Sequence, residues 1–235
     1  ANSGTVSALL GKEDLAIIDS AVHTSIMDGL RGTNVKLIPH NDLEKYEFIL
    51  KREQSNYNTK MVIVDGVYSQ DGDIGKIPEI KTLCEKYGAL LLVDDAHGVG
   101  VIGENGKGVL EHFNMLGKVD LLTGTFSKSF GAVGGFVVGS QKMIQYLRYY
   151  ANTTVFSAAI VPQVTCSVLK ALSIMQTRPD IREKLWRNTN YLKERLIAEG
   201  YEIGDTASPI IPVKIRNDHK AKEVTRLLFQ HGIYV

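Results

Sequence analysis

An α/β fold is predicted: a mostly parallel sheet with helices on both faces, plus part of a smaller α/β domain at the C-terminal end. Three observations predict it. Short apolar runs alternate with amphipathic stretches as far as Gly139. The runs are apolar at successive positions, so both of their faces need cover, as in parallel strands flanked by helices. After Gly139 long helical patterns take over and set the end of the chain apart.

The elements follow in order. LAIID (15–19) and VKLIP (35–39) read as the first two strands. DLEKYEFILKREQ (42–54) reads as a helix opened by Asp42, an N-cap whose carboxylate can accept from a free first-turn N–H. KMVIVD (60–65) is the third strand. PEIKTLCEKYG (78–88) is a helix with proline at its first position, where the missing N–H costs nothing, and glycine at its end. ALLLVD (89–94), DLLTGT (120–125) and GGFVVG (134–139) complete six strands. SQKMIQYLRYYA (140–151), PQVTCSVLKALSIMQ (162–176) and PDIREKLWRNTNYLKERLIAEG (179–200) read as helices, the last long enough to bridge two domains. A boundary near residue 178 divides a large domain, 1–178, from a partial C-terminal domain, 179–235. In the latter, IIPVKI (210–215) reads as a strand and HKAKEVTRLLFQHG (219–232) as a helix.

Composition removes several functions. A net charge of +1 with scattered Lys and Arg offers no basic face for nucleic acid. No apolar run approaches the length of a membrane span. The two cysteines, Cys84 and Cys166, stand far apart without a CxxC, so neither a zinc ribbon nor a redox dithiol is indicated. Both are expected to pack as small apolar groups in a reducing, cytoplasmic compartment. The opening ANSGTVSALLGKED has neither the basic nor the apolar region of a signal peptide, and no initiator methionine. The closing FQHGIYV stops on a strand-like run. Both ends read as cut from a longer protein.

Ligands of open α/β sheets gather outside the carboxyl ends of the strands. The polar residues just there are His23 after 15–19, Ser69 after 60–65, Asp94, Asp95 and His97 at 94–97, and Thr125, Ser127 and Lys128 at 125–128. A metal hydrolase could use the His and Asp groups, but Asp94 and His97 lack a partner with HExxH-like spacing. GVGVIG (98–103) matches a dinucleotide-binding pattern. ENGKG follows it, however, instead of a helix whose N-terminus could receive a pyrophosphate. No P-loop pattern occurs. Schiff-base chemistry uses every member of the set. Lysine forms an imine with pyridoxal phosphate, and a carboxylate keeps the ring nitrogen protonated. Asp94 suits that place, His97 the ring oxygen, His23 a stacking face, and Thr125, Ser127 and the glycines the phosphate. Singly, each residue has a plain structural reading; their common rim and order carry the weight.

VDGVYSQDGD (64–73), LLVDDAHGVGVIGENGKG (91–108) and GTFSKSFGAVGG (124–135) resemble the α-oxoamine synthases, fold type I pyridoxal-phosphate enzymes that condense an amino acid with an acyl-CoA, mostly with loss of carbon dioxide. The resemblance covers nearly the whole chain. It implies Lys128 as the imine lysine, Asp94 on the ring nitrogen, His97 on the ring hydroxyl and His23 stacked on the ring. Thr125 and Ser127 would hold the phosphate, and Ser69 would lie against the cofactor. Ser157 would reach the phosphate of a neighbouring subunit, which implies a homodimer with shared sites. The branch that joins serine to a long-chain thioester for sphingolipid synthesis is most similar. Branches using glycine with acetyl-CoA, or making 8-amino-7-oxononanoate, follow closely. Rival readings are another fold type I aminotransferase or lyase and, against the presence of Lys128, a non-catalytic partner subunit. The chain departs from the family pattern in four ways. HTS (23–25) replaces His-Ala-Ser, and FSAAIVP (156–162) keeps one proline of two. The phosphate-side glycine–aromatic pair and the carboxylate-binding arginine would fall before Ala1 and after Val235.

Overall fold

The computed structural model describes residues 1–235. Six strands form where the apolar runs fall: β1 (Leu15–Asp19), β2 (Asn34–Ile38), β3 (Lys60–Asp65), β4 (Leu90–Asp94), β5 (Leu121–Thr125) and β6 (Gly135–Gly139). They make one sheet in the order β2-β1-β3-β4-β5-β6. The first five strands are parallel, and β6 is antiparallel to β5. Link length explains the difference. A parallel neighbour needs a crossover of about a dozen residues or more. Each of the first four links has that room and carries a helix: α2 (Thr24–Gly29), α3 (Leu43–Arg52), α4 (Ile77–Tyr87) and α5 (Val109–His112). Residues 126–134 are too few for a crossover, so the chain doubles back as a hairpin.

The side-chain period of two sorts each strand between two cores. Leu15, Ile17, Val62, Val64, Leu91 and Val93 face α3 and α4, where Tyr46, Ile80 and Cys84 pack. Ala16, Ile18, Met61, Ile63, Leu92 and Leu121 face the other way. There they meet Val6 of α1 (Asn2–Leu9), Ile26 of α2 and Leu147 of α6 (Gln141–Tyr150). All twelve strand residues are fully buried. Each except Ala16 contributes about 1.5–3 kcal/mol relative to exposure. A one-residue slip of β4 would reverse Leu91, Val93 and Asp94 together, so core burial also sets where that carboxylate points.

Asp42 caps α3 by accepting from Lys45 N at 2.9 Å, as expected, and Gly88 ends α4 in the left-handed region at φ 64°. The sequence reading passed over α1. Its serines, threonine and glycine give no apolar stripe, and it is held through Gly4, Thr5 and Val6, all buried. Beyond α6 come α7 (Asn152–Val155), α8 (Pro162–Thr177), α9 (Pro179–Ala198) and α10 (Asp218–Gln230). The α9 helix reaches the sheet region through Trp186, whose Nε1 donates to Val101 O at 3.1 Å. Two expectations are corrected. Residues 210–215 form no strand. A strand needs a ladder, and this segment has a single backbone bond of that kind, Lys214 N to Glu202 O at 2.8 Å. Cys84 is buried as expected, but Cys166 is exposed, because α8 buries none of its residues and offers a cysteine no core. No helix is long and apolar enough to cross a membrane.

A polar clamp ties β1 to the turn after β3. His40 Nδ1 meets Asp19 Oδ1 at 3.0 Å and Nε2 meets Asp73 Oδ2 at 2.8 Å, with the Tyr68 ring edge-on at 4.4 Å. Asn41 donates to both carboxylates. With a carboxylate on each nitrogen, the ring is asked to carry both protons. Burial works against that charge, but the hydrogen bonds and charges of Asp19 and Asp73 together outweigh it and raise the pKa above 6.5. A raised histidine stabilises the fold fully below its unfolded pKa and stops doing so as pH climbs through the folded value. Denaturant unfolding between about pH 6 and 9 is expected to show stability falling with pH. His40→Gln should remove part of that slope, and an identical slope in the variant would refute the clamp.

Candidate active site

The pleat that builds the cores also builds the site. Asp65 and Asp94 end adjacent strands as register partners, on the same face of the sheet. Both are almost wholly buried. Burial, and then the neighbouring Asp94, push Asp65 up to about 8. Asp65 Oδ1 has no hydrogen-bond partner. The Asp94 carboxylate is held from two sides, by Ala96 N on Oδ1 at 3.0 Å and by Asn2 Nδ2 on Oδ2 at 2.6 Å. Asp95 turns the other way, accepting from Val109 N at 2.9 Å.

The hairpin from β5 to β6 carries Lys128 over this edge. Thr125 pairs with Gly135 across the ladder, and Phe126 N donates to Gly134 O at 3.0 Å. Glycine is required here. Gly134 sits at φ 104°, and a Cβ on Gly135 would lie 2.6 Å from Gly124 O. The Thr125 hydroxyl donates to Gly134 O at 3.2 Å, so the proton in its 2.8 Å contact with Ser127 belongs to Ser127. Lys128 stands exposed at the rim. Even so, desolvation lowers its pKa against the opposing pull of Asp94 and Asp65, which favours the neutral, nucleophilic amine.

His23, Asp94, Thr125, Ser127 and Lys128 line one cavity of about 210 Å³. His97 lies within charge reach of three of them. Desolvation first, and then Lys128, lower its pKa to about 4, so the ring is neutral near pH 7. The other two predicted residues stand outside the lining. Ser69 is half-buried in the turn after β3. Ser157 borders an adjoining cavity that shares Gly134 and Gly135, and its hydroxyl donates to Thr153 O. A larger cavity of about 790 Å³ beside Trp186 has no convergent donor set. Its Glu111 is already engaged by Asn105 and Lys107. Sequence reasoning missed Asn2, Ser25 and Asp65. Asp65 had a signal, since it ends a strand as Asp94 does. Asn2 had none, because its partners are distant in sequence.

The sequence model of the aminotransferase class I and II family matches residues 1–235. The serine palmitoyltransferase of Sphingobacterium spiritivorum is 44% identical over all of this chain and 59% of its own length. The 8-amino-7-oxononanoate synthase of Thermoanaerobacter pseudethanolicus is 42% identical over all of this chain and 60% of its own. The chain thus spans about three fifths of these relatives. A solved serine palmitoyltransferase containing pyridoxal phosphate as the internal aldimine superposes with a TM-score of 0.92 at 34% identity, covering 100% of this chain and 60% of that one.

Proposed function

Because the chain belongs to the aminotransferase class I and II family, and within it to the α-oxoamine synthases, whose cofactor is pyridoxal phosphate, we propose that the whole protein condenses serine with a long-chain acyl-CoA. The observation that carries the pyridoxal-phosphate chemistry is the meeting of Lys128, Asp94, Thr125 and Ser127 in one cavity, and the choice of serine and a long-chain donor rests on the 44% identity to a serine palmitoyltransferase. The donor set suits the cofactor: an amine of lowered pKa for its aldehyde, a buried carboxylate for its ring nitrogen, and two hydroxyls beside close-packed glycine backbone for its phosphate.

When bound, pyridoxal phosphate supplies an electron sink that weakens the bonds to the substrate α-carbon. Lys128 would tether it through Nζ and, as the free amine, would take the substrate α-proton. Asp94 would keep the ring nitrogen protonated by placing an opposite charge against it. His97, neutral near pH 7, would hydrogen-bond the ring hydroxyl, and His23 would cover one face of the ring. Thr125 and Ser127 would hold the phosphate, Ser69 would lie along the cofactor, and Ser157 would reach the phosphate of a second subunit. The α-carbon bonds the acyl carbon as the thioester C–S bond breaks and CoA leaves as its thiol; the carboxylate then leaves as carbon dioxide, and the α-carbon that keeps its electron pair takes up a proton. The exposed Tyr149, Tyr150 and Phe156, close in sequence to Ser157, supply an apolar face for that second copy. In this reading residues 1–178 form the cofactor domain of a cytoplasmic homodimer in sphingolipid synthesis, and 179–235 begin a second domain.

Substrate choice is tested on the whole protein by competition among serine, glycine and alanine with palmitoyl-, acetyl- and pimeloyl-CoA. Serine with palmitoyl-CoA is expected to dominate. Alanine with pimeloyl-CoA would move the protein to the 8-amino-7-oxononanoate branch, which the 42% relative represents. Glycine with acetyl-CoA would move it to the acetyltransferase branch. Either result overturns the serine assignment.

A further inference from the structure

We propose that Asn2 is a positioning residue that sets Asp94 and His23 together, through one amide group and the Ser25 hydroxyl; this rests on reading the cavity as a pyridoxal phosphate site. Asn2 Nδ2 donates to Asp94 Oδ2 at 2.6 Å and to Ser25 Oγ at 2.9 Å, so both amide hydrogens are used. The amide cannot sit the other way round. Its oxygen would then face a carboxylate that only accepts. Instead Asn2 Oδ1 is buried without a partner, an uncompensated group that the two donor bonds must outweigh.

The consequence travels to His23. Ser25 N donates to His23 Nδ1 at 3.2 Å, which makes that nitrogen an acceptor, so the Ser25 hydroxyl, while accepting from Asn2, gives its own proton to Nδ1 at 2.8 Å. Nδ1 is therefore an acceptor, and the ring proton lies on Nε2. One side chain thus holds the carboxylate and fixes the tautomer of the imidazole, both of which line the cavity. Packing keeps it there. Ser3 Oγ donates to Ser25 O at 2.8 Å, and α1 lies so close to α2 that a Cβ on Gly29 would meet the Ser3 backbone at 2.8 Å.

The test uses Asn2→Leu, Asn2→Asp and Ser25→Ala in the intact protein. Nitrogen NMR of ¹⁵N-histidine in cofactor-free protein reads the His23 tautomer, and titration with pyridoxal phosphate reads affinity. Wild type should show the Nε2–H form. Asn2→Leu and Ser25→Ala should mix the tautomers. Asn2→Leu should also weaken cofactor binding by about tenfold or more, the scale of one hydrogen bond to a charged group. In Asn2→Asp two carboxyl groups compete for one proton, so the pH profile of affinity should gain an additional titrating step that the wild-type profile lacks. Should Asn2→Leu fail to fold, Ser25→Ala and Asn2→Asp still decide. An unchanged tautomer in Ser25→Ala, with a wild-type pH profile of affinity in Asn2→Asp, would overturn the proposal. A borohydride label on a lysine other than Lys128 would instead overturn the cofactor reading, leaving the His23 tautomer to judge Asn2 separately.

Discussion

Lys128→Ala is expected to abolish covalent capture of pyridoxal phosphate and to slow exchange of the substrate α-proton by about 10²–10⁴, the contribution of a positioned base. In wild type, borohydride should fix the cofactor on this residue and bleach its visible absorbance. The expectation rests on placement. Lys128 tops the one hairpin that crosses the strand ends, beside two hydroxyls and above two buried carboxyl groups. Desolvation lowers its pKa, so more of it is the neutral amine that attacks an aldehyde. Peptide mapping of the reduced adduct to another lysine would refute the assignment.

The second large effect separates two neighbours. Asp94→Ala should cut α-proton exchange by at least ~100-fold, because a charge partner at the reacting centre is lost. Asp95→Ala should leave the rate of folded protein much nearer wild type and lower the melting temperature instead. Asp95 is fully buried and engaged by Val109 N, and burial pushes it up to about 8. Removing it orphans a buried donor, which costs about 1–3 kcal/mol. Exchange rates on folded protein, read beside thermal unfolding, check both variants. Equal losses of exchange for the two would show that the wrong aspartate, or the wrong role, has been assigned to Asp94.

The structure agrees with the sequence reading where one local pattern suffices. Six apolar runs, the Asp42 cap and the Gly88 stop could be read because each depends on residues within a turn or a strand. The rim holding His23, Asp94, Thr125, Ser127 and Lys128 could be read because parallel strands put their carboxyl ends on one edge. The reading failed where the deciding partner was remote. The 210–215 segment has strand chemistry but no ladder. Cys166 has apolar character but no core to enter. The α1 helix has almost no periodic signal, yet it is held by α2 and α7 across small residues such as Gly4 and Gly29.

By itself, then, the sequence determined the parallel α/β architecture and the chemical kind of the site, since hydrophobic period and strand-end residue types are local properties that survive without coordinates. Tertiary structure alone decided the rest. It set Asp65 beside Asp94 through strand register, turned Asp95 into the core, and brought Asn2 within 2.6 Å of Asp94. It also shifted the pKa values of Lys128 and His97. Desolvation, charge and hydrogen bonding act over a few ångströms of space, and the chain separation of 92 residues between Asn2 and Asp94 carries no trace of that distance.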